Sequence, residues 1–225
     1  MKLTTLLFLS ALVFLVSCNN NASTVTAKDE QEDTVETTDN MNVRLQQHFP
    51  SLFAFYHQQD SSFPGAGFEG GELERKDTLH STAIDTAQLR PYRPYLVFNN
   101  DSTKAIDFVS YNYVLVNKKG LASLEQGGPD SEVALLDIKK NTRQRILYMG
   151  SSATILNSDW DGNEVLIAGA EDLGEDKIKP TFWIYNTETG VMEIYSYNAP
   201  IMADIKNYTE QHLNAKPVAK TSPSF

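Results

Sequence analysis

The chain has 225 residues, with 19 Lys and Arg against 29 Asp and Glu, a formal charge of −10 and a pI of about 4.8. So acidic a surface argues against nucleic acid and anionic lipid headgroups as direct partners. The single cysteine rules out an internal disulfide, so stability has to come from an apolar core.

Residues 1–17 read as an export leader: Lys2 supplies the charged start, an apolar run extends from Leu3 to Phe14, and no acidic residue precedes the cysteine. The run is shorter than the roughly 20 apolar residues a lasting transmembrane helix needs. It ends in Leu15-Val16-Ser17-Cys18, which resembles the lipobox of bacterial lipoproteins. The resemblance implies cleavage before Cys18, acylation of that residue, and attachment to a lipid bilayer with no protein segment crossing it. Several acyl chains, at about 0.8 kcal/mol per buried CH₂, anchor far more firmly than one. Asn19 in the next position, where Asp is absent, implies the outer membrane, with the periplasmic and external faces both open. Loss of the leader removes Lys2 and no acidic residue, leaving 18 basic against 29 acidic side chains, a formal charge of −11.

Residues 18–40 hold the lipidated cysteine and a segment with one Lys, six acidic residues and almost nothing large and apolar. Such composition buries too little surface to offset ordering, so it reads as a self-repelling tether with a reach of roughly 25 Å. Alternatively it docks a basic partner. Residues 41–216 have ordinary globular composition and form one expected domain; 217–225 read as a loose tail.

Within the domain, Val43, Leu45, Phe49, Leu52, Phe53 and Tyr56 predict a helical region interrupted or restarted at Pro50. Gly65-Ala66-Gly67-Phe68-Glu69-Gly70 spells a dinucleotide-binding fingerprint, but no convincing helical face follows it, so the stretch reads as a loop. A weak repeat comes next. Residues 98–106 lie on 158–166, a shift of sixty, and residues 135–142 lie on 184–191. Each copy predicts four antiparallel strands: 93–98, 105–116, 132–138 and 143–149, then 153–157, 164–169, 181–186 and 191–197. The first copy carries an extra loop, residues 117–130. Asn141 and Gly190 stand where the hairpins require positive φ.

The turn "DWDGNEVLIAG" and the hairpin "FWIYNTETGVMEIYSY" resemble β-propeller blades. A closed propeller takes about 4 to 8 blades and only two are visible. The expected fold is therefore mainly β, two four-stranded antiparallel blade-like sheets with short N- and C-terminal helices. Packed sheets, a partial propeller capped by the helices, and one part of an oligomeric ring all satisfy that pattern. Met202, Ile205 and Tyr208 predict the last helix over about 200–213.

Candidate chemistry is sparse. Asn157, Asp159 and Asp161, followed by Gly162, match the opening of a calcium loop, but Val165 and Ala168 occupy the later ligand positions, so a turn between strands is the better reading and calcium the weaker one. His48, His57, His80 and His212 show no metal-pair spacing, and no catalytic motif occurs. Asp107, Glu132, Asp137 and Glu164 lie on or beside strands and are the carboxylates a hydrolase would draw on, without singling out a catalytic residue. Aromatic residues are the best ligand signal: Trp160, Trp183 and Tyr185 are candidate contacts for a protein or cell-wall partner, with cross-strand packing the alternative. The reading favours a non-enzymatic envelope lipoprotein without a cofactor. An envelope hydrolase acting on carbohydrate or peptide, and a calcium-dependent binding module, are the alternatives.

Overall fold

A computed structural model describes residues 40–73, 80–118, 121–151 and 153–214. Cys18 and its lipobox, the tether and the 217–225 tail lie outside the described residues. The chain enters as helix α1, residues 40–48, and restarts at Pro50 as helix α2, Pro50–Gln59. Proline is tolerated there because the first helical N–H has no intrahelical partner. Leu45, Phe49, Leu52, Phe53 and Tyr56 are buried as the spacing predicts, whereas Val43 is exposed.

Two antiparallel sheets follow. In the first, β1 (Phe68–Leu73), β9 (Ala153–Asp161), β10 (Glu164–Gly174), β11 (Lys177–Asn186) and β12 (Met192–Tyr197) are ordered β1-β12-β11-β10-β9, with β13 (Ile201–Met202) beside β11. In the second, β2 (Ser81–Ala83), β3 (Val97–Phe98), β4 (Lys104–Asp107), β7 (Ser131–Asp137) and β8 (Thr142–Met149) are ordered β2-β8-β7-β4-β3. A separate hairpin joins β5 (Tyr113–Lys118) to β6 (Leu121–Gln126). Helix α3 (Thr86–Leu89), the 3-10 segment Arg90–Tyr95 and helix α4 (Ile205–Asn214) complete the order.

Each repeat copy is thus a four-stranded meander in sequence order, and each gains an outer strand from upstream: β2 on β8, β1 on β12. Asn141 and Gly190 take φ of 54° and 74° in the turns that need it. The central strand β10 is buried on both faces, which explains its continuous apolar run. Val165 and Ile167 pack between the sheets with Trp183, Tyr185, Ile106, Val133 and Leu135. Leu166, Ala168 and Ala170 face the helices, against Leu45, Phe49 and Phe182. A smaller cluster of Leu89, Leu96, Ala105 and Leu136 closes the far side of the second sheet. The layers therefore run helices, six-stranded sheet, five-stranded sheet, then α3 and the 3-10 segment.

Four expectations are corrected. The first half of the strand predicted at 93–98 is instead the end of the 3-10 segment, where Pro94 removes a backbone donor a ladder would need, and only Val97–Phe98 form strand. The strand predicted at 105–116 breaks after Asp107, whose carboxylate Oδ1 accepts from the backbone N–H of Val109 and Ser110 and turns the chain. Within the loop at 117–130, Leu121–Gln126 forms β6. The stretch read as a loop at 65–70 is also corrected: Phe68-Glu69-Gly70 open β1, paired with β12, and Gly70 is demanded by packing, since a Cβ there would lie 2.2 Å from the Tyr195 ring.

Candidate functional site: an arginine and tyrosine pocket on the five-stranded sheet

Part of the outer face of the five-stranded sheet, beside the Leu89 and Leu136 cluster, is polar, and a strand irregularity adds a tyrosine to it. On β8, Arg143 pairs with Leu136 and Arg145 with Ala134, which places both arginines on the outer face. The register then advances one residue on β7 and two on β8, from Ala134 and Arg145 to Val133 and Leu147. Both Ile146 and Leu147 consequently point into the core, and Tyr148 returns to the face that carries the arginines. Glu132 lies opposite Tyr148, and Asp107 lies opposite Ala134 from the other side.

Glu132 is the centre of the arrangement and is 1% exposed. Arg145 Nε donates to its Oε2 at 2.6 Å, while Arg143 Nη1 lies 2.6 Å from Oε1. The second contact is an ion pair without an N–H aimed along it, so Oε1 has no directed hydrogen bond. Arg143 Nη2 also lies 3.5 Å from Asp107 Oδ2. Asp107 Oδ2 accepts from the Ser110 hydroxyl, and its Oδ1 is taken by two backbone donors. Buried Asn112 holds the backbone of Glu132 from both sides: its Oδ1 accepts from Glu132 N–H at 2.8 Å, and its Nδ2 donates to Glu132 C=O at 3.1 Å. A carboxylate buried this far needs such partners.

Above this floor is a half-open cavity of about 260 Å³, walled by Thr82, Gln88, Ser110 and Tyr111 among others. Tyr111 and Tyr148 are 47% and 40% exposed and meet edge to face with centroids 6.3 Å apart. The Arg145 guanidinium lies 4.8 Å over the Tyr148 ring. The Tyr148 hydroxyl donates to Asp130 at 2.7 Å, and this hydrogen bond, with a second to Tyr111, pushes its pKa up to about 12. Rigid strands thus hold donors, a buried acceptor and aromatic surface around one cavity. That is the chemistry of recognition of a polar ligand.

Apart from Asp107 and Glu132, the residues singled out in the sequence fall elsewhere. Trp183 and Tyr185 are 2% and 5% exposed, inside the core between the sheets, so their rings are not presented to a partner. Trp160 is a strand residue opposite Val165, not a turn residue, and its partly buried indole packs against that same core. The alternation of Asn157, Asp159 and Asp161 is the period of strand β9. Arg44 Nε reaches Asp161 Oδ2 and its Nη2 reaches Glu164, both at 2.6 Å; His48 Nδ1 lies 2.7 Å from Asp159. Arg44 and His48 of α1 thus occupy the carboxylates proposed for calcium. Among the described residues no three His, Cys, Asp or Glu come together as a metal group. Of the four strand carboxylates, Asp107 and Glu132 share Arg143, whereas Asp137 binds Lys140 and Glu164 binds Arg44.

A larger cavity, about 460 Å³, lies between α4 and the β5–β6 hairpin. Its polar groups serve the fold: Asn214 Oδ1 accepts from Leu124 N–H at 2.8 Å, and Thr209 bonds to the carbonyl of Ile205. The smaller cavity is the stronger site because its charged groups sit on paired strands. Arg143, Arg145, Ser110 and Asn112 carried no sequence signal except the R-x-R on β8, an alternation that marks two cations on one strand face. Compared with protein-family models, with curated proteins and with solved structures, the chain finds no match in any of the three.

Proposed function

We propose that this chain is a lipid-anchored lipoprotein of the bacterial envelope whose β domain binds a cell-envelope component at the Arg143–Arg145 pocket. The observation that carries this reading is the Glu132 carboxylate fixed between two guanidiniums beneath exposed Tyr111 and Tyr148. The lipobox at Cys18 supports the anchoring, and Asn19 supports the outer membrane. No described helix is long and apolar enough to cross a membrane. The acidic tether gives the domain reach from the bilayer, roughly 25 Å. The two carboxylates beneath the pocket are already engaged, Asp107 by Ser110, Val109 and Arg143 and Glu132 by Arg143 and Arg145, which favours binding over hydrolysis.

The test is made in cells with the full chain. A photo-crosslinking amino acid at position 111 is expected to yield an adduct with an envelope component, and the same probe at exposed Leu173 is not. Equal adducts at both positions, or none at 111, would reject the pocket. Separately, Cys18→Ser is expected to move the protein from the membrane to the soluble fraction and to abolish labelling by a fatty-acid analogue.

A further inference from the structure

We infer that the ligand of this pocket is a neutral saccharide, bound one sugar ring at a time. The inference rests on the proposed binding role and names its substrate class. Four features of the pocket converge on it.

The first is charge. Arg143 and Arg145 are balanced by the carboxylates of Glu132 and Asp107, each 1% exposed, and Asp85 also lines the wall. An anion would find no net positive field and would have to compete for cations already paired. The second is the mixture of hydrogen-bonding groups. A sugar hydroxyl donates and accepts at once, so its site needs both kinds of partner. Here Asp85, Gln88 and Ser110 line the cavity with side-chain oxygens that can accept. Among the described residues only the Nε of Arg145 meets a carboxylate, which leaves its Nη hydrogens as donors on a side chain 40% exposed.

The third feature is aromatic surface. The Arg145 guanidinium covers a face of Tyr148, while Tyr111 stands at 75° to that ring and is 47% exposed. A pyranose presents an apolar C–H face and a polar rim, and this corner offers one aromatic face beside one polar floor. The fourth is size. At about 260 Å³ the cavity is below the roughly 300 to 1,000 Å³ of drug-sized sites. It suits one ring, and its open side lets the rest of an oligosaccharide lie outside.

The test uses the full lipoprotein in a detergent without a sugar headgroup. Neutral tetramers of glucose, galactose, mannose and N-acetylglucosamine, an anionic tetramer of galacturonate and a neutral tripeptide are presented in turn, read by saturation-transfer NMR and calorimetry. At least one neutral tetramer is expected to bind, with transfer strongest at ring C–H protons. Tyr111→Ala and Arg145→Ala should each weaken it about ten-fold without changing the circular dichroism spectrum. Binding of only the galacturonate or the tripeptide, lost in both variants, overturns the neutral saccharide and leaves the pocket standing. Saccharide binding unaltered in both variants overturns this inference. If no probe binds, the saccharide class is rejected; the adduct at position 111 then decides the binding role by itself.

Discussion

The indole Nε1–H of Trp160 donates to the backbone carbonyl of Val97 at 2.8 Å, joining edge strand β9 of one sheet to edge strand β3 of the other. The two residues are sixty-three apart in sequence and lie on the first strands of the two repeat copies. In the first copy Asn100 stands where the second has Trp160, so the contact has one direction. Trp160→Phe keeps most of the ring and removes the indole donor, an expected loss of about 0.5 to 1.5 kcal/mol. Trp160→Ala also removes the packing and should cost more. Denaturant unfolding measures both. Unchanged stability in both variants would return Trp160 to the list of partner contacts.

Glu132 is the position where stability and the pocket are most tightly joined. With its charge removed by Glu132→Gln, Arg143 and Arg145 lose their shared counterion, a break expected to cost about 1 to 3 kcal/mol because both guanidiniums keep solvent contact and Arg143 keeps Asp107. Arg145→Ala should cost markedly less, since that side chain is 40% exposed and solvent screens its pair. Reversed magnitudes in equilibrium unfolding would show that Glu132 is not the keystone.

Gly169 on β10 lies under Trp183. A Cβ there would meet the Thr154 carbonyl oxygen at 2.6 Å and Trp183 Cζ3 at 2.8 Å. Backbone cannot yield as a flexible side chain can, so Gly169→Ala is expected to lower stability by about 1 to 3 kcal/mol. Adding Trp183→Phe should not restore it, because the clash with Thr154 persists. Full rescue in the double variant would place the strain on the ring alone.

Much of the architecture was legible because strand period and turn chemistry are local. The repeat located β7 to β12 to within a few residues, and Asn141 and Gly190 marked their turns correctly. What was missed depends on contacts made across long separations. Asp107 ending β4 and Arg44 taking the acidic turn of β9 are both choices between a side chain's possible partners. Trp183 and Tyr185 look alike in sequence whether they face a partner or the second sheet. The pocket was half visible: Asp107 and Glu132 were noted as carboxylates, but the bulge that swings Tyr148 onto the face of Arg143 and Arg145 has no sequence signature beyond two consecutive apolar residues.

The α1 ion pairs make a prediction about calcium. Because Arg44 and His48 occupy Asp161, Glu164 and Asp159, the wild-type melting temperature should be the same in chelator and in millimolar calcium. Arg44→Met, which keeps the stem and removes the charge, is expected to cost about 1 kcal/mol, discounted for its partly exposed partners. A calcium-dependent rise in the wild type would restore the turn as a metal site.

Buried phenols set the alkaline limit of the fold. Burial pushes Tyr113 up to about 12, opposed by a hydrogen bond with Thr209, and burial raises Tyr56 further, helped by neighbouring Tyr208. A raised folded-state pKa means the native protein holds its proton where the unfolded chain, near 10, has released it. These groups therefore leave stability intact below about pH 10 and draw it down as pH rises through 12. Unfolding free energy should be flat from pH 7 to 9 as far as tyrosines contribute, then fall, with tyrosinate absorbance of Tyr113 rising only as the domain opens. Tyr113→Phe should reduce the alkaline slope, by about 3 kcal/mol at most over that window. An unchanged slope would mean that Tyr113 ionises in the folded state as readily as in the unfolded chain, and that its burial under α4 is transient.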